Sequence, residues 1–199
     1  MAKAPRRSPG PDERQRDAER TRHALMAAAR VEFAAKGLAG ARVSEIAARA
    51  GVNKQLISYY FGGKDGLYQA LIDQWHAQEE QLSEPGISLE ELVWRYMEVG
   101  HRQPDLQRLF IRESLEQDVD EVAHEPDAQD LQDLRARQAA GEIGEELDPA
   151  FVLMVLQAAV ISGTVFPGDV KRLMGLDPAS PEYLEHMGRQ LRLLVRRLA

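Results

Sequence analysis

The chain has no cysteine among its 199 residues, which excludes disulfides, thiolate chemistry and sulfur-ligated zinc. Zinc would have to rely on histidine and carboxylates, and the five histidines are scattered. The pair at helical spacing, His76 and Glu80, reads better as two surface residues than as two metal ligands, so no metal or other cofactor is expected. A long hydrophobic run is missing as well. The longest, Phe151 to Phe166, has 16 residues and contains Gln157 and Ser162. A bilayer span needs about 20 apolar residues, so this run is read as a buried helix and no membrane partner is expected. The start, MAKAPRRSPGPDERQRD, lacks the apolar core of a secretory signal, and a reduced, cytoplasmic setting is the expectation. There is no Gly-rich phosphate loop, no activated-nucleophile motif and no carboxylate pair at defined spacing. An enzyme is not expected.

What the chain does have is ordinary globular material, 44% hydrophobic and 29% charged, in a length that suits one or two small domains. Its charge is unevenly placed. Residues 1–66 carry 13 Lys and Arg against 7 Asp and Glu, a balance of +6, whereas residues 67–199 carry 12 against 25, a balance of −13. A basic head on an acidic body is the asymmetry of a protein that meets phosphates at one end only. Composition places a disordered basic arm at residues 1–17, rich in Pro, Arg, Lys and Gly with nothing to bury. A head at 18–66 and a body at 67–199 complete the division.

Within the head, Leu25, Ala28, Ala29 and Phe33 form one helical stripe from about Ala18 to Lys36, ended by Gly37. A second helix runs from about Val43 to Ala50, with Val43, Ile46, Ala47 and Ala50 inward. Gly51 supplies the positive φ of a tight turn, and Asn53 is a good N-cap for a third helix. Two helices across such a turn make a helix-turn-helix, whose second helix can enter a DNA major groove. At 100° per residue the third helix separates cleanly: Leu56, Ile57 and Tyr60 point one way, and Lys54, Gln55, Ser58 and Tyr59 the other. The outward set suits recognition, since Lys donates to guanine or phosphate, Gln bonds adenine bidentately, and a Tyr hydroxyl reaches phosphate.

Ile46-Ala47, Ala50-Gly51-Val52, Tyr59-Tyr60-Phe61 and Lys64-Asp65-Gly66-Leu67, with Leu25, Ala28-Ala29, Phe33 and Gly37 upstream, resemble the DNA-binding domain of the tetracycline-repressor (TetR) family. The resemblance covers Thr21 to Leu71. It implies an all-α homodimer that represses transcription from a palindromic operator and is released by a small-molecule effector. By position it puts DNA contacts on Lys54, Gln55, Ser58, Tyr59 and Tyr60, with Lys64 on phosphate at the start of the next helix. Tyr60 is where bare helical geometry and the resemblance part, the first turning it inward and the second toward DNA. The chain also departs from the family pattern before the second helix. Ala41 and Arg42 stand where Ser or Thr usually caps that helix and touches phosphate, with Ser44 just inside. Arg42 brings charge for a phosphate but cannot cap.

The body reads as further helices. Leu67, Leu71 and Trp75 support one to about Leu82, broken at Ser83–Gly86. Ser88 with Glu91 three residues on has the capping-box spacing and opens the next. Pro104 starts another, to about Leu115; Glu116–Asp130 is an acidic loop or broken helix; Leu131 to Ala140 is helical again. Asp148-Pro149 opens a helix apolar on nearly every side, stopped at Pro167-Gly168, and Ser180-Pro181 opens the last. Too few partners exist in one chain to cover those two helices. They are expected to form a four-helix interface with a second subunit, through Phe151, Val155, Ala158, Ala159 and Ser162 and through Leu184, Met187, Leu191, Leu194 and Leu198. For the effector pocket the candidates are Trp94, Tyr96, Met97, His101, Phe110, Arg112 and Glu113, large aromatics with a few polar groups.

The expectation is therefore an all-α protein with an N-terminal three-helix helix-turn-helix DNA-binding domain and a C-terminal helical ligand-binding and dimerisation domain. Its partners would be double-stranded DNA, a second copy of itself and a small-molecule effector. A non-specific DNA-coating protein is the contrasting class, and a helical enzyme a more distant one. Outward Gln55 and Ser58 argue against simple coating, which would favour Lys and Arg on that face.

Overall fold

The structure is a computed structural model that describes residues 10–84 and 86–198. Residues 1–9 of the expected arm, and the Glu80 side chain considered with His76, lie outside the described residues. Regular structure among the described residues is helical: α1 Pro11–Gly40, α2 Val43–Ala50, α3 Gln55–Phe61, α4 Lys64–Leu82, α5 Leu89–Arg102, α6 Pro104–Glu116, α7 Gln129–Ala139, α8 Pro149–Val165, α9 Pro167–Asp169 and α10 Pro181–Val195. Contacts divide the chain into two compact units, one up to Trp75 and one from His76.

In the first unit α1 begins at Pro11, seven residues before the expected start, so residues 11–17 are helix and not part of an arm. The reason is local. Proline at the first position has its φ preset for a helix, and Asp17–Arg20 at 3.0 Å and Gln15–Glu19 at 3.4 Å add pairs along the exposed turns. At Gly37 the chain takes φ 68° and ψ 174°, which breaks α1 and directs residues 38–40 toward α2. Leu25, Ala28, Ala29 and Phe33 are buried, as are Ile46 and Ala47 of α2, Ile57 of α3, and Leu67 and Leu71 of α4. Tyr68 meets the Phe33 ring edge-on at 5.2 Å. Gly66 is required by close approach: the Phe61 carbonyl occupies the place of any Cβ there.

The second unit is built on α5, whose Leu89, Leu92, Val93 and Met97 pack with Leu134 of α7, Ile143, Val152 and Leu156 of α8, and Leu191 and Val195 of α10. Ser88 Oγ accepts from the Glu91 N–H at 3.3 Å, as the capping spacing requires. Glu142 reaches back to accept from the Leu89 N–H at 2.7 Å, and Arg137 donates to the Ile87 carbonyl at 2.8 Å, so the loop after α7 fastens the start of α5. The acidic segment contains one short 3₁₀ turn, Val119–Glu121. Pro167 does not end the helical path. The chain bends by 77° there and continues through α9 into a π-helical turn, Val170–Met174.

Asp148 caps α8 by accepting from the Ala150 N–H at 2.7 Å and the Phe151 N–H at 3.2 Å. Asp148→Ala is expected to cost about 1 kcal/mol, measured as a lower melting temperature, whereas Asp148→Asn keeps an acceptor and most of the stability. The helix that Asp148 opens is not buried all round within the chain. Val152 and Leu156 face the core, but Phe151 is 62% and Met154 63% exposed, with Val155 and Ala158 also outward. Among the described residues no single helix is long and apolar enough to cross a membrane.

Candidate nucleic-acid interface

The turn before α3 is made as its residues demand. Gly51 adopts φ 67° and ψ 29°, and the Val52 N–H returns to the Ala47 carbonyl at 3.0 Å. Asn53 Oδ1 then accepts from the Gln55 N–H at 2.9 Å, so the first turn of α3 is capped by a side chain. With Ile57 buried and Leu56 half-buried beneath, Lys54, Gln55, Ser58 and Tyr59 are exposed together on the far side of α3. Tyr59 is 79% exposed, an arrangement a folded head gains nothing from internally. Arg42 and Ser44 are exposed at the opening of α2. Tyr60 is half-buried, its ring edge-on to Tyr59 at 4.9 Å.

Lys64, which the resemblance puts on phosphate, is bonded within the head. Its Nζ donates to the carbonyls of Leu38 at 2.8 Å, Ala39 at 3.4 Å and Ala41 at 3.4 Å. An ammonium has three donors, and all three are engaged inside the head. Lys64 therefore ties the start of α4 to the α1–α2 connection. Lys64→Met is expected to lower the stability of the head by about 1–3 kcal/mol, the range for losing charged hydrogen bonds, read by thermal melting.

Glu32 escaped the sequence reading although its signal was present. It lies on the inward stripe beside Phe33, one helical turn before Lys36. Lys36 Nζ donates to its carboxylate at 2.7 Å, and the Arg42 backbone N–H at 3.5 Å. The Lys36 hydrogen bond above all, then the Arg42 N–H and the charges of Lys36 and Arg49, hold this carboxyl below its usual range against the upward push of burial. Arg22 was also missed; its guanidinium lies 5.4 Å over the Phe61 ring and covers the end of α3.

The seven residues offered for an effector pocket have varied surroundings. Met97 is buried in the α5 core, Glu113 is on the surface, and Arg112 pairs with Glu116 at 3.9 Å. Trp94 packs against Gly188, which leaves room for no Cβ, and Arg192 stacks on its ring at 4.6 Å. Tyr96 Oη donates to Glu79 at 3.0 Å, and burial, then the Glu79 charge, pushes its pKa up. His101 and Phe110 are half-buried. An open cleft of about 750 Å³ does exist, but Ser88, Glu90, Asp133, Arg137, Glu142 and Arg196 are on its walls, and none of the seven is. Two of its charge pairs are internal to the wall, Arg137 with Glu142 and Arg196 with Glu90. A less obvious group is Tyr183. It is 4% exposed, lies against Gly163, and its Oη has no hydrogen-bond partner.

Of the expected interface residues, Phe151, Val155, Ala158 and Leu194 are exposed, and Ala159, Ser162, Leu184, Met187 and Leu198 are half-buried. Leu191 is the correction. It is 5% exposed and belongs to the core with Val93 and Leu156, because the face of α10 that meets α5 includes it.

A basic three-helix head with an outward polar recognition face, on a larger helical body, defines a helix-turn-helix transcriptional regulator. Residues 25–71 match the family of bacterial regulatory proteins called the tetR family. The HTH-type transcriptional repressor SCO4008 of Streptomyces coelicolor is 32% identical over 171 residues, 80% of this chain and 85% of that protein. The chain belongs to the tetR family, whose members are DNA-binding regulators and not enzymes. Among solved structures, SCO4942 of Streptomyces coelicolor shares the fold with a TM-score of 0.70 at 24% identity, over 87% of this chain and 97% of that one. A gamma-butyrolactone receptor (ArpA-like protein) does so with a TM-score of 0.61 at 20% identity, over 88% and 98%.

Proposed function

We propose that this regulator represses transcription by binding a palindromic operator as a two-fold dimer, and that a small molecule held in the body releases it. The observation that carries the reading is the exposed set Lys54, Gln55, Ser58 and Tyr59 on α3, base-reading side chains in the basic stretch 1–66, whose balance is +6. Arg42 and Ser44 flank it on the phosphate side. Two such heads related by a two-fold would sit about 34–36 Å apart, one turn of B-DNA. The bare apolar faces of α8 and α10 supply the surface for the second copy. For the effector, Tyr183 Oη brings an unused hydrogen bond between α8 and α10, and the likeness in fold to a gamma-butyrolactone receptor supports a ligand in the body. Release needs only that the ligand favour a head spacing other than the one the operator takes. A cytoplasmic setting follows from a DNA partner. Selection of bound duplexes from random DNA tests the reading. A palindrome with half-sites one helical turn apart is the expected result, and equal recovery of all sequences refutes it.

A further inference from the structure

Glu32 is the one charged residue that is buried among the described residues, 3% exposed. Burying a carboxylate is costly unless it is paired and hydrogen-bonded, and the Lys36 pair alone would form as well at the surface. What burial adds is a fixed acceptor facing the α1–α2 connection. There the sequence leaves a gap: Arg42 has extended φ −114° and ψ 126°, and α2 has no side-chain cap. The Ala41–Arg42 peptide unit is instead gripped from both ends. Lys64 Nζ takes its carbonyl at 3.4 Å, and Glu32 Oε1 takes its N–H at 3.5 Å. Opposite charges, one from α4 and one from α1, thus hold a single peptide plane at the point where α2 begins.

We propose that Glu32 is a positioning residue for DNA binding: with Lys64 it orients the Ala41–Arg42 peptide, and so aims the Arg42 guanidinium at the operator backbone. The proposal rests on the DNA-binding reading given above and adds to it a residue that never touches DNA. Removing the carboxylate does not strand a charge in the core, because the Lys36 side chain is 46% exposed and returns to water. The head of a Glu32→Ala variant is therefore expected to stay folded, with Arg42 present but no longer held.

The test is the salt dependence of affinity for the duplex recovered by selection, measured with full-length protein below each variant's melting temperature. Each phosphate contact contributes about 0.9 to the slope of log K against log salt, so a complex with two heads loses about 1.8 when both Arg42 contacts go. Arg42→Ala and Glu32→Ala should each show that loss, and the double variant should lose no more. Glu32→Gln keeps an oxygen for the Arg42 N–H and is expected to restore the slope. If Glu32→Ala melts earlier but keeps the full slope, the carboxylate only stabilises the head and the proposal falls. If Arg42→Ala also keeps the slope while substitutions on α3 abolish preference, the proposal falls and the α3 reading stands. If no duplex is selected at all, both fall.

Discussion

Replacing Lys54 and Gln55 together by alanine is expected to erase sequence preference while leaving the fold and oligomeric state unchanged. The two side chains are exposed, so their removal deletes no internal contact, and the cap from Asn53 goes to the Gln55 backbone, which alanine retains. Each good base contact is worth about 1–3 kcal/mol of discrimination. Two contacts on each of two heads, even at about 1 kcal/mol apiece, amount to roughly 10³-fold, the whole specificity of a modest repressor. Non-specific affinity should survive, since Arg42, Ser44 and the basic remainder of the head still meet phosphates. The measurement compares selected and scrambled duplexes at one salt concentration. An unchanged ratio for the double variant would remove α3 from the role of reading helix.

The head was legible because its residues answer local questions. Gly51 fixes a left-handed turn, Asn53 caps the third helix, and the period of that helix divides Ile57 from Gln55 without reference to the rest of the chain. The bonds from Lys64 to the Ala41 carbonyl and from the Arg42 N–H to Glu32 were not legible, since they join groups 23 and 10 residues apart in sequence and one group of each is main chain. A side-chain pattern carries no sign of where a carbonyl will point. The first helix was read short for a related reason: residues 11–17 have no apolar stripe, and their helix rests on Pro11 and on surface pairs. In the body, aromatic content identified Trp94, Tyr96 and Phe110 but not their surroundings. Trp94 is set by Gly188 and Arg192, both nearly a hundred residues downstream, and only the packed fold brings them together. The missed polar group, Tyr183, is informative through what it lacks, and a missing hydrogen bond is never written in a sequence.

Val155→Glu with Ala158→Glu is expected to turn the proposed dimer into a monomer. Both side chains are exposed on α8 in the single chain, so a glutamate at either place costs the isolated subunit little, and helix content and monomer melting should be nearly unchanged. In a two-fold interface the same substitutions meet their own copies and bury like charges, each at a cost of several kcal/mol without a partner. A stable interface of ordinary size buries about 1,600 Å², and the exposed Phe151, Met154, Val155 and Leu194 are the apolar side chains available for its centre. Sedimentation at micromolar concentration should give a mass near 22.3 kDa for the variant and twice that for the parent. Operator affinity should fall by about 10²- to 10⁴-fold, because two tethered heads bind as one unit and separated heads do not. Leu191→Ala is the contrast on α10. That side chain is core, so its loss should lower the melting temperature and leave the subunits paired. A doubly substituted protein that still sediments as a dimer would place the interface elsewhere, and the bare face of α8 would then need another partner.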